Sequence, residues 1–141
     1  MINTVKSLAR ENIESGKGEI PKELYQEMLD WPILIESENN FNTAAGLASS
    51  SSGLSCLGYA LANLYGLENI DVSILARIGS GSACRSVYGG FVKWDKGWQE
   101  KSELDYPQEV SKNSVAKKVE VANLQYWLDN LRILVCVVKP E

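Results

Sequence analysis

Two short segments of this chain combine small residues with hydrogen-bond donors in a pattern that suits an anionic ligand. The first is Asn39–Gly53, which reads NNFNTAAGLASSSSG. It holds Thr43 and four consecutive serines, Ser49–Ser52, and it runs directly into an apolar helical pattern. A helix start offers backbone N–H groups that have no internal partner. The helix dipole adds about half a positive charge at the same place. Small residues let an anion approach the backbone, and serine hydroxyls add further donors. Gly46, Leu47, Ala48, Ser49, Ser50 and Ser51 therefore make a candidate phosphate loop. The same residues also suit a plain capped helix behind a surface loop. A Walker A loop is excluded, because no Gly-Lys-Ser/Thr ends the segment and no lysine lies between Lys22 and Lys93.

The second segment is Ser80-Gly81-Ser82-Ala83-Cys84-Arg85. Its arginine can fork onto a carboxylate or phosphate through paired hydrogen bonds. The small residues before it leave room for a ligand. A tight turn between helices with a solvated arginine is the alternative reading. Cys84, next to Arg85, is either a thiol of lowered pKa or a small buried side chain.

The rest of the composition narrows the chemistry. The chain has 141 residues, 45% apolar and 23% charged, which is ordinary for one globular domain. Its net charge of −4 provides no broad basic surface, so nucleic acid is not expected as a partner. Any anion must be held locally. There is no histidine, which removes Ser-His-Asp catalysis, Cys-His catalysis and histidine metal sites. Cys56, Cys84 and Cys136 are widely spaced and form no CxxC pair, so neither zinc nor a disulfide framework is expected. Reduced thiols fit a cytoplasmic setting. Met1 is followed by a mixed polar segment, and the apolar runs near the ends are too short to span a bilayer. No membrane association is expected. The acidic residues form no evident catalytic pair.

The elements that must position these segments follow from periodicity. Ile2, Val5, Leu8 and Ala9 predict a helix over 2–12, and Leu24 and Met28 a short one over 22–30. Residues 31–37 read as a strand entered through Pro32. Leu54, Leu57, Leu61 and Leu64 recur at steps of three, four and three, which predicts an amphipathic helix over about 50–66, stopped by Gly66. A second helix carries Val72, Ile74, Leu75 and Ile78, capped by Asp71 or Ser73 and ended by Gly79. Gly89–Trp94 reads as a turn into a strand. Residues 95–114 are expected to form a loop and 115–121 an irregular edge segment. Leu131–Val138 is nearly all apolar and β-branched, and reads as a central strand. The four tryptophans are expected to pack in the core or at its rim. Helices and strands without regular alternation indicate an α+β fold.

The two segments also resemble a known pattern. Asn42–Ser51, NTAAGLASSS, resembles the P-x-x-x-G-L-x-S-S-A signature of the GHMP small-molecule kinase superfamily. The wider strings NNFNTAAGLASSSSG, YALANLYGL and ARIGSGSACRSVYGGFVKW closely resemble the diphosphomevalonate decarboxylase family, most strongly over 35–94. The resemblance implies that residues 1–141 form part of a GHMP-kinase-type N-terminal domain, a ribosomal protein S5 domain 2-like α+β fold. Its first strands would precede residue 1, and a C-terminal domain with the general-base aspartate would lie beyond the chain. No catalytic residue and no metal ligand is then expected within it, and the chain alone is expected to be inactive. The implied reaction uses ATP and Mg²⁺ to phosphorylate the tertiary hydroxyl of (R)-5-diphosphomevalonate. Loss of phosphate and CO₂ follows and yields isopentenyl diphosphate. By the same resemblance, Gly46–Ser51 hold the ATP phosphates, with Ser50 in contact. Ser80–Arg85 line the substrate site, with Ser82 and Arg85 holding the substrate, Arg85 near its carboxylate. The family is mainly cytoplasmic and usually homodimeric. Two departures stand out: Asn42 replaces the usual proline, and Ser51 and Ser52 stand where small apolar residues are usual. A different GHMP kinase and a non-catalytic binding module are the alternative readings.

Overall fold

Helical apolar stretches that are short and amphipathic gain their stability from burying one face against one another. The computed structural model shows how they do so, over described residues 1–16, 20–67, 69–95 and 114–136. The helices are α1 (Ile2–Glu14), α2 (Lys22–Asp30), α3 (Ser49–Leu64), α4 (Asn69–Gly79), a single turn α5 (Ala83–Ser86) and α6 (Leu124–Asn130). Strands β1 (Val92–Trp94) and β2 (Ala116–Lys118) form an antiparallel pair, with Val92 opposite Lys118 and Trp94 opposite Ala116. The fold is α+β, as the mixed patterning predicts.

The core lies among the first four helices. Val5 and Ala9 of α1 meet Tyr25, Met28 and Leu29 of α2, Leu61 and Ala62 of α3, Tyr65 just beyond it, and Val72 and Leu75 of α4. Burying each aliphatic side chain of this kind contributes about 1.5–3 kcal/mol before entropy is counted. The two buried phenols are satisfied by backbone: Tyr25 donates to the Tyr65 carbonyl, and Tyr65 donates to the Met28 carbonyl at 3.1 Å. Lys6 extends its ammonium to the Leu29 and Trp31 carbonyls, where α2 ends and its carbonyls lack helical partners.

Helix α3 buries a face shifted from its leucine stripe, which it shares at Leu61 and, in part, at Leu57. Ser51, Ser55, Gly58, Leu61 and Ala62 are buried, whereas Leu64 is exposed. The small residues allow α4 to approach closely. A Cβ placed on Gly58 would lie 3.2 Å from the Ala76 backbone nitrogen and 3.3 Å from its Cα. Leucines on that face would hold the helices further apart.

Several expectations are corrected. Residues 31–37 form no strand, and Leu34 is exposed. Residues 131–136 are likewise extended without strand pairing, with Ile133 and Leu134 more than 80% exposed. An apolar extended segment becomes a strand only where a neighbour takes up its N–H and C=O groups, and among the described residues none does so. Residues 137 and 138 of that run lie outside the described residues, as does nearly all of the expected loop over 95–114. Helix α4 begins at Asn69, so Asp71 and Ser73 lie inside it and not at its cap. Residues 124–130, to which periodicity assigns no element and whose end (127–130) the family resemblance reads as the start of a strand, are helical; Trp127 packs edge-on against Phe91 at 6.4 Å.

Candidate functional site

The start of α3 is built from unusual backbone. Ala44, Gly46 and Ala48 all have positive φ, at 59°, 73° and 58°. Left-handed alanine costs about 1–2 kcal/mol, so the surrounding chain must hold it there. Ala48 occupies the N-cap position and has no side chain able to cap. The first helical bond runs from the Ser52 N–H to the Ala48 carbonyl at 3.0 Å. The N–H groups of Ser49, Ser50 and Ser51 are thus left without helical partners. A plain side-chain cap, the alternative reading of this segment, is not what forms. Alternating left-handed residues and unpartnered N–H groups make a concavity suited to an anion. Gly46, Leu47, Ala48 and Ser50 are exposed, and a Cβ on Gly46 would meet nothing within 4 Å, so the approach is open. Ser51 turns inward and is buried.

The second segment closes against the first. Ser51 and Ser82 are hydrogen-bonded through their hydroxyls, and Ser82 lies 3.4 Å from the Ser80 hydroxyl. Each hydroxyl carries one proton and two lone pairs. Three hydroxyls in a row therefore keep one proton that can be directed to a ligand oxygen. The turn itself is held by the Ala83 N–H on the Ser80 carbonyl (2.9 Å) and the Arg85 N–H on the Ser82 carbonyl (3.1 Å).

The side chains of the turn divide between core and solvent. Ala83 and Cys84 are fully buried, so they support the turn from beneath and do not line an open surface. The Cys84 thiol donates to the Gly81 carbonyl at 3.0 Å. Burial pushes this thiol above its ordinary pKa, and the nearby Arg85 and Arg77 only partly oppose the shift. It is a small buried side chain and not an activated nucleophile. Arg85 is exposed, and among the described residues no carboxylate pairs with it. Its guanidinium carbon sits 5.6 Å from the centre of the Trp94 ring.

Three contributors lie outside both segments. Trp94, Arg77 and Ser114 form a support: the Trp94 Nε1–H donates to the Ser114 hydroxyl at 2.9 Å, and Arg77 donates to the Ser114 carbonyl. Burial lowers the Arg77 pKa from its ordinary value. Trp94 ends the GGFVKW string, so its place was visible in the sequence although its contact was not. Nothing local marks Ser114, which reaches Trp94 through the β1–β2 pairing. Lys93 and Lys117 pair with Asp95 at 2.6 and 2.9 Å on the far, exposed side of the ribbon. Among the described residues no group of three metal-ligating side chains occurs, and no helix is long and apolar enough to cross a membrane.

Residues 2–104 match the family described as the diphosphomevalonate decarboxylase-like N-terminal domain. The diphosphomevalonate decarboxylases of Rattus norvegicus, Homo sapiens and Bos taurus are 42%, 43% and 44% identical to the chain. Each alignment covers 99% of the chain but 31% of the relative. The chain thus spans about a third of the length of the curated relatives it matches.

Proposed function

The chain belongs to the family of diphosphomevalonate decarboxylase-like N-terminal domains, and we propose that it supplies the nucleotide-phosphate loop and one wall of the substrate site of an ATP-dependent diphosphomevalonate decarboxylase. In this reading residues 1–141 are part of a GHMP-kinase-type domain. The observation that carries it is the contact between the two segments: the uncapped start of α3 and the Ser80–Arg85 turn meet at Ser51 and Ser82. A phosphoryl donor on the first and a hydroxyl-bearing acceptor on the second would then lie side by side, which is what phosphoryl transfer requires.

The residues suit the groups implied. The unpartnered N–H groups of Ser49–Ser51 favour the β- and γ-phosphates of ATP. The exposed Ser50 hydroxyl adds a donor. Arg85 has both an open approach and free N–H groups for the carboxylate of (R)-5-diphosphomevalonate. Mg²⁺ prefers octahedral oxygen and commonly enters with phosphates and water, so few protein ligands are needed here. ATP with Mg²⁺ supplies the phosphoryl group that turns the tertiary hydroxyl into a leaving group. In this reading the chain's own residues bind and orient the two ligands, and the general-base aspartate belongs to another part of the longer protein. Turnover is therefore assigned to the longer protein, with the family's cytoplasmic, homodimeric setting as part of the same reading.

Calorimetric titration of residues 1–141 with Mg·ATP and with (R)-5-diphosphomevalonate tests this. Binding of both, without CO₂ release, is expected. Arg85→Met should weaken the second ligand and spare the first. Failure to bind either ligand by a folded chain would overturn the assignment.

A further inference from the structure

We propose that Trp94 is a positioning residue for Arg85, presenting the guanidinium edge to the substrate carboxylate; this rests on the substrate reading of the Ser80–Arg85 turn. An exposed arginine ordinarily samples many rotamers, and that freedom is lost when it binds. Here the guanidinium already has an aromatic partner. Its Cζ stands 5.6 Å from the centroid of the Trp94 ring, within cation–π range. A cation–π contact engages the charge without using up the N–H donors, so the fork stays available for bidentate carboxylate recognition.

The ring is itself fixed on several sides. Its benzo edge rests on the turn, because a Cβ on Gly81 would lie 3.3 Å from Trp94 Cη2 and 3.8 Å from Cζ3. Glycine at 81 is what permits this approach. The indole N–H is held by the Ser114 hydroxyl at 2.9 Å. Ser114 is buried, and its carbonyl accepts from Arg77 of α4. The strand pairing sets the height of the ring, with Trp94 opposite Ala116. One side chain thus touches both ends of the turn, Gly81 and Arg85, and ties them to α4 and β2. A tryptophan that merely filled the rim would need neither the Ser114 bond nor the contact with the guanidinium.

The test uses residues 1–141 as wild type, Trp94→Leu, Trp94→Phe and Ser114→Ala, each checked for an unchanged far-ultraviolet spectrum. The first measurement needs no ligand. Ring currents should shift the Arg85 side-chain protons upfield in the NMR spectrum; the shift should vanish in Trp94→Leu and persist in part in Trp94→Phe. The second is titration with (R)-5-diphosphomevalonate. Trp94→Leu should weaken binding about threefold to tenfold, the range of a partly desolvated cation–π contact. Trp94→Phe and Ser114→Ala should weaken it less. In an Arg85→Met background Trp94→Leu should have little further effect, since both act through one group. Unshifted Arg85 protons in the wild type, or equal losses with and without Arg85, would overturn the proposal. A ring-current shift lost in Trp94→Leu, in a wild type that binds no diphosphomevalonate, would uphold the positioning of Arg85 and sink the substrate reading instead.

Discussion

Replacing two glycines of the same helix by alanine should have opposite consequences. Gly53 and Gly58 both lie inside α3, and in an open helix Gly→Ala gains about 1 kcal/mol. At Gly53 a new Cβ meets nothing within 4 Å, so Gly53→Ala should realise that gain. At Gly58 the Cβ lands 3.2 Å from the Ala76 nitrogen, 3.3 Å from its Cα and 3.4 Å from its Cβ. Two of these atoms are backbone of α4 and cannot rotate away. Ala76 and Leu75 are fully buried, so α4 has little room to retreat. Overpacking of this kind costs about 1–3 kcal/mol. The propensity gain cancels between the two variants, so Gly58→Ala should be less stable than Gly53→Ala by about 1–3 kcal/mol. At about 4 °C per kcal/mol for a domain of this size, melting temperatures should differ by roughly 4–12 °C. Thermal unfolding followed by circular dichroism measures this directly. The loss should extend to the site, because α4 leads into the Ser80–Arg85 turn. Equal melting temperatures for the two variants would refute the close α3–α4 approach as the reason for glycine at 58.

Three further outcomes are expected. Ser51→Ala and Ser82→Ala should each lower stability by about 1 kcal/mol, and the double variant by less than their sum, because both remove one shared hydrogen bond; additive denaturant midpoints would contradict it. Burial holds the Cys84 thiol above 9.0 and the Tyr25 and Tyr65 phenols above 10.0. In each case the folded state keeps the proton more tightly than the unfolded chain, so this stability is intact below about pH 9. It is lost as pH rises through the ordinary and then the raised values; between pH 9.5 and 11 the denaturant midpoint of Tyr25→Phe should fall less steeply than that of the wild type. Finally, Ellman's reagent should label the exposed Cys56 and Cys136 quickly and Cys84 only on unfolding; rapid labelling of all three would contradict the buried turn.

Local signals were legible where a residue's own conformation or a short spacing decides the outcome. The helical repeats of α1 and α2 and the Gly-rich turn into β1 stand in the sequence and in the structure alike. So do the two Gly/Ser segments, because small residues before a helix and an arginine after a turn are visible as residue types. Partners across the chain decided the rest. The leucines of α3 marked only one edge of the buried face, with Leu61 inside and Leu57 packed against the core; the close approach of α4 at Gly58 shifts that face toward the small residues. Residues 31–37 and 131–136 have strand composition, but composition cannot provide the neighbouring hydrogen bonds a strand needs. Trp94 was readable as a rim aromatic; only the β1–β2 register brings Ser114 to its indole nitrogen and sets its ring beneath Arg85. The residue types alone marked the two segments as candidates for an anionic ligand. Tertiary packing decided that Ser51 touches Ser82, because a hydrogen bond across 31 residues depends on two helices closing at a glycine and not on either segment by itself.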